Sequence, residues 1–110
     1  MKTNVEIQAG ICGFITNVSA ASADQQNVTF AVESNCEKIR ALAEKLKDIQ
    51  PVDAFQEISP ADDGKIMGVV RDALKGCCAG CAVPAGIFKA MQVAAGLALP
   101  KDISVKFKSD

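Results

Sequence analysis

The sequence predicts one α+β domain over residues 1–110, a two-layer sandwich in which helices cover one face of a mainly antiparallel four-stranded sheet, in the order β-β-β-α-α-α-β. Three observations lead there. Apolar residues recur every second position near the N-terminus, every third or fourth from about residue 36 to 95, and every second again near the C-terminus. A chain of 110 residues is long enough for one core and too short for two ordinary domains. Four one-sided strands and three one-striped helices can bury their apolar sides only against each other.

Each element has its own signal. Val5, Ile7 and Ala9 alternate with Glu6 and Gln8, which predicts the first strand. Gly10-Ile11-Cys12-Gly13 suits a tight connection, and Phe14, Thr16, Val18 and Ala20 form the inward register of a second strand. The polar run 22–27 is a turn, after which Val28, Phe30 and Val32 define a third strand. Ser34 with Glu37 three residues on is a capping-box signature, and Cys36, Ile39, Leu42, Ala43, Leu46 and Ile49 share one face of a helix over about 35–48. Pro51 stops it. Val52, Phe55 and Ile58 suggest a short helical piece in the 50–64 linker. Ile66, Val69, Val70, Ala73 and Leu74 mark a second helix closed by Gly76, and Pro84 opens a third that buries Ile87, Phe88, Met91, Ala94 and Ala95. Ile103, Val105 and Phe107, alternating with Ser104, Lys106 and Lys108, predict a closing fourth strand.

Composition excludes several function classes. With 49% hydrophobic and 23% charged residues the chain can bury a core, so disorder is not expected. A net charge of -1, with its cations scattered, gives no reason to expect nucleic acid as partner. The start Met1-Lys2-Thr3-Asn4-Val5-Glu6 lacks the apolar run of a secretory signal, and no stretch is long enough to span a bilayer, so the expected setting is cytoplasmic, without membrane. No His, Tyr or Trp is present, which removes histidine-based nucleophilic catalysis and most zinc-hydrolase designs. Asp53 with Glu57, and Asp62 with Asp63, read as solvated surface, the latter pair lying where a helix needs a cap. The polar sheet face carrying Glu6, Gln8, Asn17, Thr29, Glu33, Lys106 and Lys108 is expected to be either wet or paired with a second subunit as a homodimer.

Five cysteines remain to be placed, and the parity of the elements places them. If the first strand rises, Cys12 lies in its upper turn, and the third strand rises again to Cys36 at the start of the first helix. That helix descends, the second most simply ascends, and Gly76-Cys77-Cys78-Ala79-Gly80-Cys81 then lies in the upper loop before the third helix; if the 50–64 linker spans the molecule instead, the second helix descends and only Cys12 and Cys36 stay together. Helix N-termini next to Cys36 and Cys81 favour thiolates. A Cys-x-x-Cys pair on a tight turn suits one metal site. Cys12, Cys36, Cys78 and Cys81 would supply four sulfurs to zinc or an iron–sulfur cluster, with Cys77 as a spare ligand. Against this, free cysteine is among the most buried side chains, so Cys36 on an apolar face, or Cys12 beside Phe14, also suits plain packing.

The segments Gly10-Ile11-Cys12-Gly13-Phe14, Ser34-Asn35-Cys36, Cys78-Ala79-Gly80-Cys81-Ala82-Val83-Pro84 and Val93-Ala94-Ala95-Gly96-Leu97-Ala98-Leu99-Pro100 resemble those of a small uncharacterised family of cysteine-containing proteins from anaerobic microbes. The resemblance implies no activity, although an anaerobic setting suits oxygen-sensitive thiolates. Thioredoxin-like proteins place Cys-x-x-Cys directly after a strand, whereas this pair follows a helix. Three function classes follow: a cysteine-ligated metal or iron–sulfur protein in a carrier or accessory role, a dithiol redox or sulfur-handling enzyme, and a homo-oligomeric interaction module with structural cysteines.

Overall fold

The computed structural model describes residues 1–109, without the side chain of Cys77. Alternation becomes a meander of β1 (Lys2–Gln8), β2 (Ile15–Ala21) and β3 (Asn27–Ser34), each antiparallel to the next, with Val5 opposite Val18 and Val18 opposite Val32. This register turns Ile7, Thr16, Val18, Ala20, Val28 and Phe30 to one buried face. Asp24 folds the β2–β3 turn, its carboxylate accepting from the Asn27 side chain and from the N–H groups of Asn27 and Gln26. The Asn27 side-chain bond does most to hold this carboxyl well below the usual range.

Four helices follow: α1 (Glu37–Ile49), α2 (Ala54–Ile58), α3 (Lys65–Ala73) and α4 (Val83–Ala94). Helix α1 packs on β3, α4 lies across β1 and β2, and α3 packs on α1 and touches α4. Ile39, Leu42 and Leu46 of α1 meet Ile66 and Val70 of α3 and Ile87 and Met91 of α4 in one core. The close seating of α4 on the sheet needs a glycine. A methyl group at Gly86 would stand 2.6 Å from Ile7 Cγ1 and closer still to its Cδ1. Gly86→Ala is therefore expected to lower stability by about 1–2 kcal/mol, the overpacking cost exceeding the roughly 1 kcal/mol gained in helix propensity. In an Ile7→Ala background the clash partner is gone, and the same substitution should become neutral or stabilising in a urea-unfolding double-mutant cycle.

Three sequence expectations are corrected. No closing strand forms at 103–107: the described residues 99–109 hold no regular secondary structure, and Ile103, Val105 and Phe107 are 61%, 82% and 99% exposed. The fourth strand is instead β4 (Val52–Asp53), antiparallel to the start of β3 and placed directly after α1, so that the order is β-β-β-α-β-α-α-α. Alternation records that a segment has two unlike faces, and a nearer segment took this edge at a smaller loop-closure cost. The capping box also does not form. The N-cap of α1 is Cys36, and Ser34 Oγ accepts from the Cys36 N–H at 3.1 Å. Glu57 is not solvated surface. It is 7% exposed, and its two carboxylate oxygens accept from Lys65 N at 3.0 Å and Ile66 N at 2.7 Å, capping α3 from the end of α2. Asp53 caps α2 by accepting from Phe55 N and Gln56 N.

Candidate functional site

Direction decides which loops meet. Because β4 pairs with Asn27 and Val28, the 50–64 linker lies at the lower end, and Glu57 holds the start of α3 there. Helix α3 therefore rises. A 3-10 turn (Gly76–Gly80) then leads to α4, whose first turn sits on Ile7 near the top of β1, while Gly96 beyond its last turn lies by Gln25 of the lower β2–β3 turn. The structure thus brings the β1–β2 turn, the start of α1 and the 3-10 turn to the same end. Cys12, Cys36, Cys78 and Cys81, all free thiols, are carried there on three separate connections.

Each thiol is held by local chemistry. Cys12 is exposed in a turn closed by the Gly13 N–H donating to Gly10 O at 2.9 Å, with Gly10 and Gly13 at φ 93° and 74°. Those left-handed angles require glycine. Cys36 is half-buried and anchored through a relay, the buried Thr16 Oγ1 donating to Ser34 Oγ at 2.9 Å and Ser34 Oγ accepting from Cys36 N. Cys78 and Cys81 are half-buried against the core and joined by the Cys81 N–H donating to Cys78 O at 3.1 Å. Val83 N–H donates to Cys81 Sγ at 3.5 Å, a bond of the kind that helix N-termini offer to sulfur. The expected ligand role of Cys77 lies outside the described side chains. The sequence reading gives Ser34 a capping role and Thr16 only an inward position, although a threonine in an otherwise apolar inward register signals a buried hydroxyl that needs a partner.

Residues 3–107 match a family of unknown function, DUF6951. The chain belongs to that family. No curated protein matches it, and neither does any solved structure. The DUF6951 match takes in all of the cysteines and the exposed segment through Phe107, so both belong to the family domain. Among the described residues no helix is long and apolar enough to cross a membrane.

The cysteines of this DUF6951 domain interact without forming a ready ligand set. Among the described residues no three Cys, Asp or Glu side chains are placed to hold one metal ion. Against the expectation that its helix N-terminus favours a thiolate, burial raises the Cys81 thiol pKa, the Val83 N–H opposes this, and the charges of Cys12, Cys36 and Cys78 raise it further. A thiol raised in the folded state binds its proton more tightly than in the unfolded chain. Its contribution to stability is therefore complete below the unfolded thiol value of about 8.5 and is lost as pH rises through the folded value. Alkylation of Cys81 by iodoacetamide, followed by peptide mass analysis, should accelerate at higher pH than alkylation of the same cysteine in the urea-unfolded chain. Coincident pH profiles would contradict this electrostatic account.

Proposed function

We propose that the upper end of the domain binds an iron–sulfur cluster, or alternatively a zinc ion, through Cys12, Cys36, Cys78 and Cys81, with Cys77 as an additional ligand, and that the protein is a carrier or accessory for that group. One observation carries this reading: four free thiols, drawn from three connections far apart in sequence, share one end of a domain that contains no histidine. Thiols borne on three separate connections suit a cluster better than a single ion. Four ligands of one zinc must each approach to about 2.3 Å, whereas cluster ligands sit on different iron atoms and stand further apart. The exposure of Cys12 leaves the site open to solvent on one side, which suits a group that is delivered and passed on.

A dithiol redox or sulfur-handling reaction, with Cys81 or Cys78 as attacking thiolate, is the alternative, and the burial that raises the Cys81 thiol disfavours Cys81 in that role. Either reading fits a reducing compartment such as the cytoplasm, where thiols stay free. The test is to purify the protein without oxygen, measure iron, acid-labile sulfide and zinc, and attempt reconstitution with iron and sulfide. Stoichiometric iron and sulfide with visible absorption support the cluster, and stoichiometric zinc supports the single ion. A metal-free protein that takes up neither overturns the proposal.

A further inference from the structure

Two unsatisfied features remain, and they are complementary. The first is the segment 103–107, which alternates like a strand yet has all its apolar side chains in solvent. The second is the upper edge of β3. Among the described residues β4 covers only Asn27 and Val28, and above them the Phe30 N–H turns away from β2 to donate to Gln50 Oε1 at 2.9 Å. Strand alternation aims the backbone N–H and C=O of Val32 to the same side. They face a groove of about 380 Å³ between β3 and α1, lined by Val32, Ala43 and the nearly buried Ile39 and Leu46, with Glu33, Arg40, Glu44 and Lys47 along it, and Arg40 Nε donates to Ser34 O at 2.8 Å at its upper end. The unpaired stretch around Val32 lies between two side-chain caps, Gln50 on Phe30 and Arg40 on Ser34, which an added strand would displace.

We propose that segment 103–107 of one chain adds as a strand to the upper β3 edge of a second copy, with Ile103, Val105 and Phe107 in the β3–α1 groove, and that the exchange is reciprocal about a two-fold axis. The occupant is a second copy because the chain's own segment does not cover its groove and leaves from α4, which lies over β1 and β2, away from the free edge of β3. Charge agrees with the placement. The outer sheet face carries a row in which Glu6 stands opposite Asn17 and Asn17 opposite Glu33, and a strand laid beside Glu33 continues that row with Lys106. Reciprocal exchange closes the assembly and covers both exposed segments at once.

Sedimentation at micromolar concentration in reductant and chelator tests this independently of any metal. The full chain is expected to sediment as a dimer. Val105→Asp with Phe107→Asp, which alters only exposed positions, should halve the mass while leaving the helical circular dichroism signal unchanged. Ala43→Arg, which fills the groove, should do the same. In a mixture of isotope-labelled and unlabelled chains, the Val105 methyls should show intermolecular contacts to residues of the groove. A monomeric full chain, a dimer that survives the tail substitutions, or a dimer that survives Ala43→Arg would each overturn the proposal, the last by moving the tail to another edge.

Discussion

Replacing Cys81 by serine in a Cys77→Ser background is expected to weaken zinc binding at the upper end by about 100-fold or more. Structural four-ligand zinc sites contribute roughly 10–16 kcal/mol, so each thiolate accounts for about 3 kcal/mol, or about two decades of affinity. Competition titration against a chromophoric chelator in oxygen-free buffer measures it, and iron retained after cluster reconstitution gives the parallel readout. Cys12→Ser, Cys36→Ser and Cys78→Ser should each reproduce the loss, because the proposal assigns all four the same role. The Cys77→Ser background removes a neighbour able to substitute as ligand. Wild-type affinity in any one of the four variants would remove that residue from the ligand set, and wild-type affinity in all four would end the metal reading. Thr16→Val should act more gently, loosening the Ser34 relay that anchors Cys36 without deleting a sulfur.

Leu42→Ala is expected to cost about 3 kcal/mol of folding stability, within the 2–5 kcal/mol seen when a fully buried leucine is truncated. Leu42 is 0% exposed at the centre of the stripe that α1 turns to the core, where neighbouring elements have little room to collapse into the space left behind. At about 4 °C per kcal/mol for a domain of this size, the melting temperature should fall by roughly 12 °C. A thermal melt followed by circular dichroism checks it. Lys45→Ala, outside the buried stripe of the same helix, removes a 2.6 Å ion pair with Asp72 and should change stability by less than about 1 kcal/mol, because both partners are partly solvated. Equal losses for the two variants would contradict the assignment of the buried stripe.

The sequence by itself determined the elements whose cause is local. The period-2 runs around Val5, Val18 and Phe30 became β1 to β3. The stripes Ile39-Leu42-Leu46, Ile66-Val70 and Ile87-Met91 became the core-facing sides of α1, α3 and α4, because a face that repeats with the backbone is buried wherever the element packs. Counting reversals along the chain brought the loops of Cys12 and Cys36 to one end, whereas the loop of Cys78 and Cys81 joined them only because β4 and Glu57 hold the linker and the start of α3 at the opposite end. Only the tertiary structure decided what depends on competition between distant groups. Ile103, Val105 and Phe107 carry as clean an alternation as β1, yet Val52–Asp53 holds the edge of β3, since pattern records two unlike faces and says nothing of which edge is vacant. Glu57 looked like any solvated acid, and its burial follows from the N–H groups of Lys65 and Ile66 that α3 presents at its first turn, eight and nine residues away.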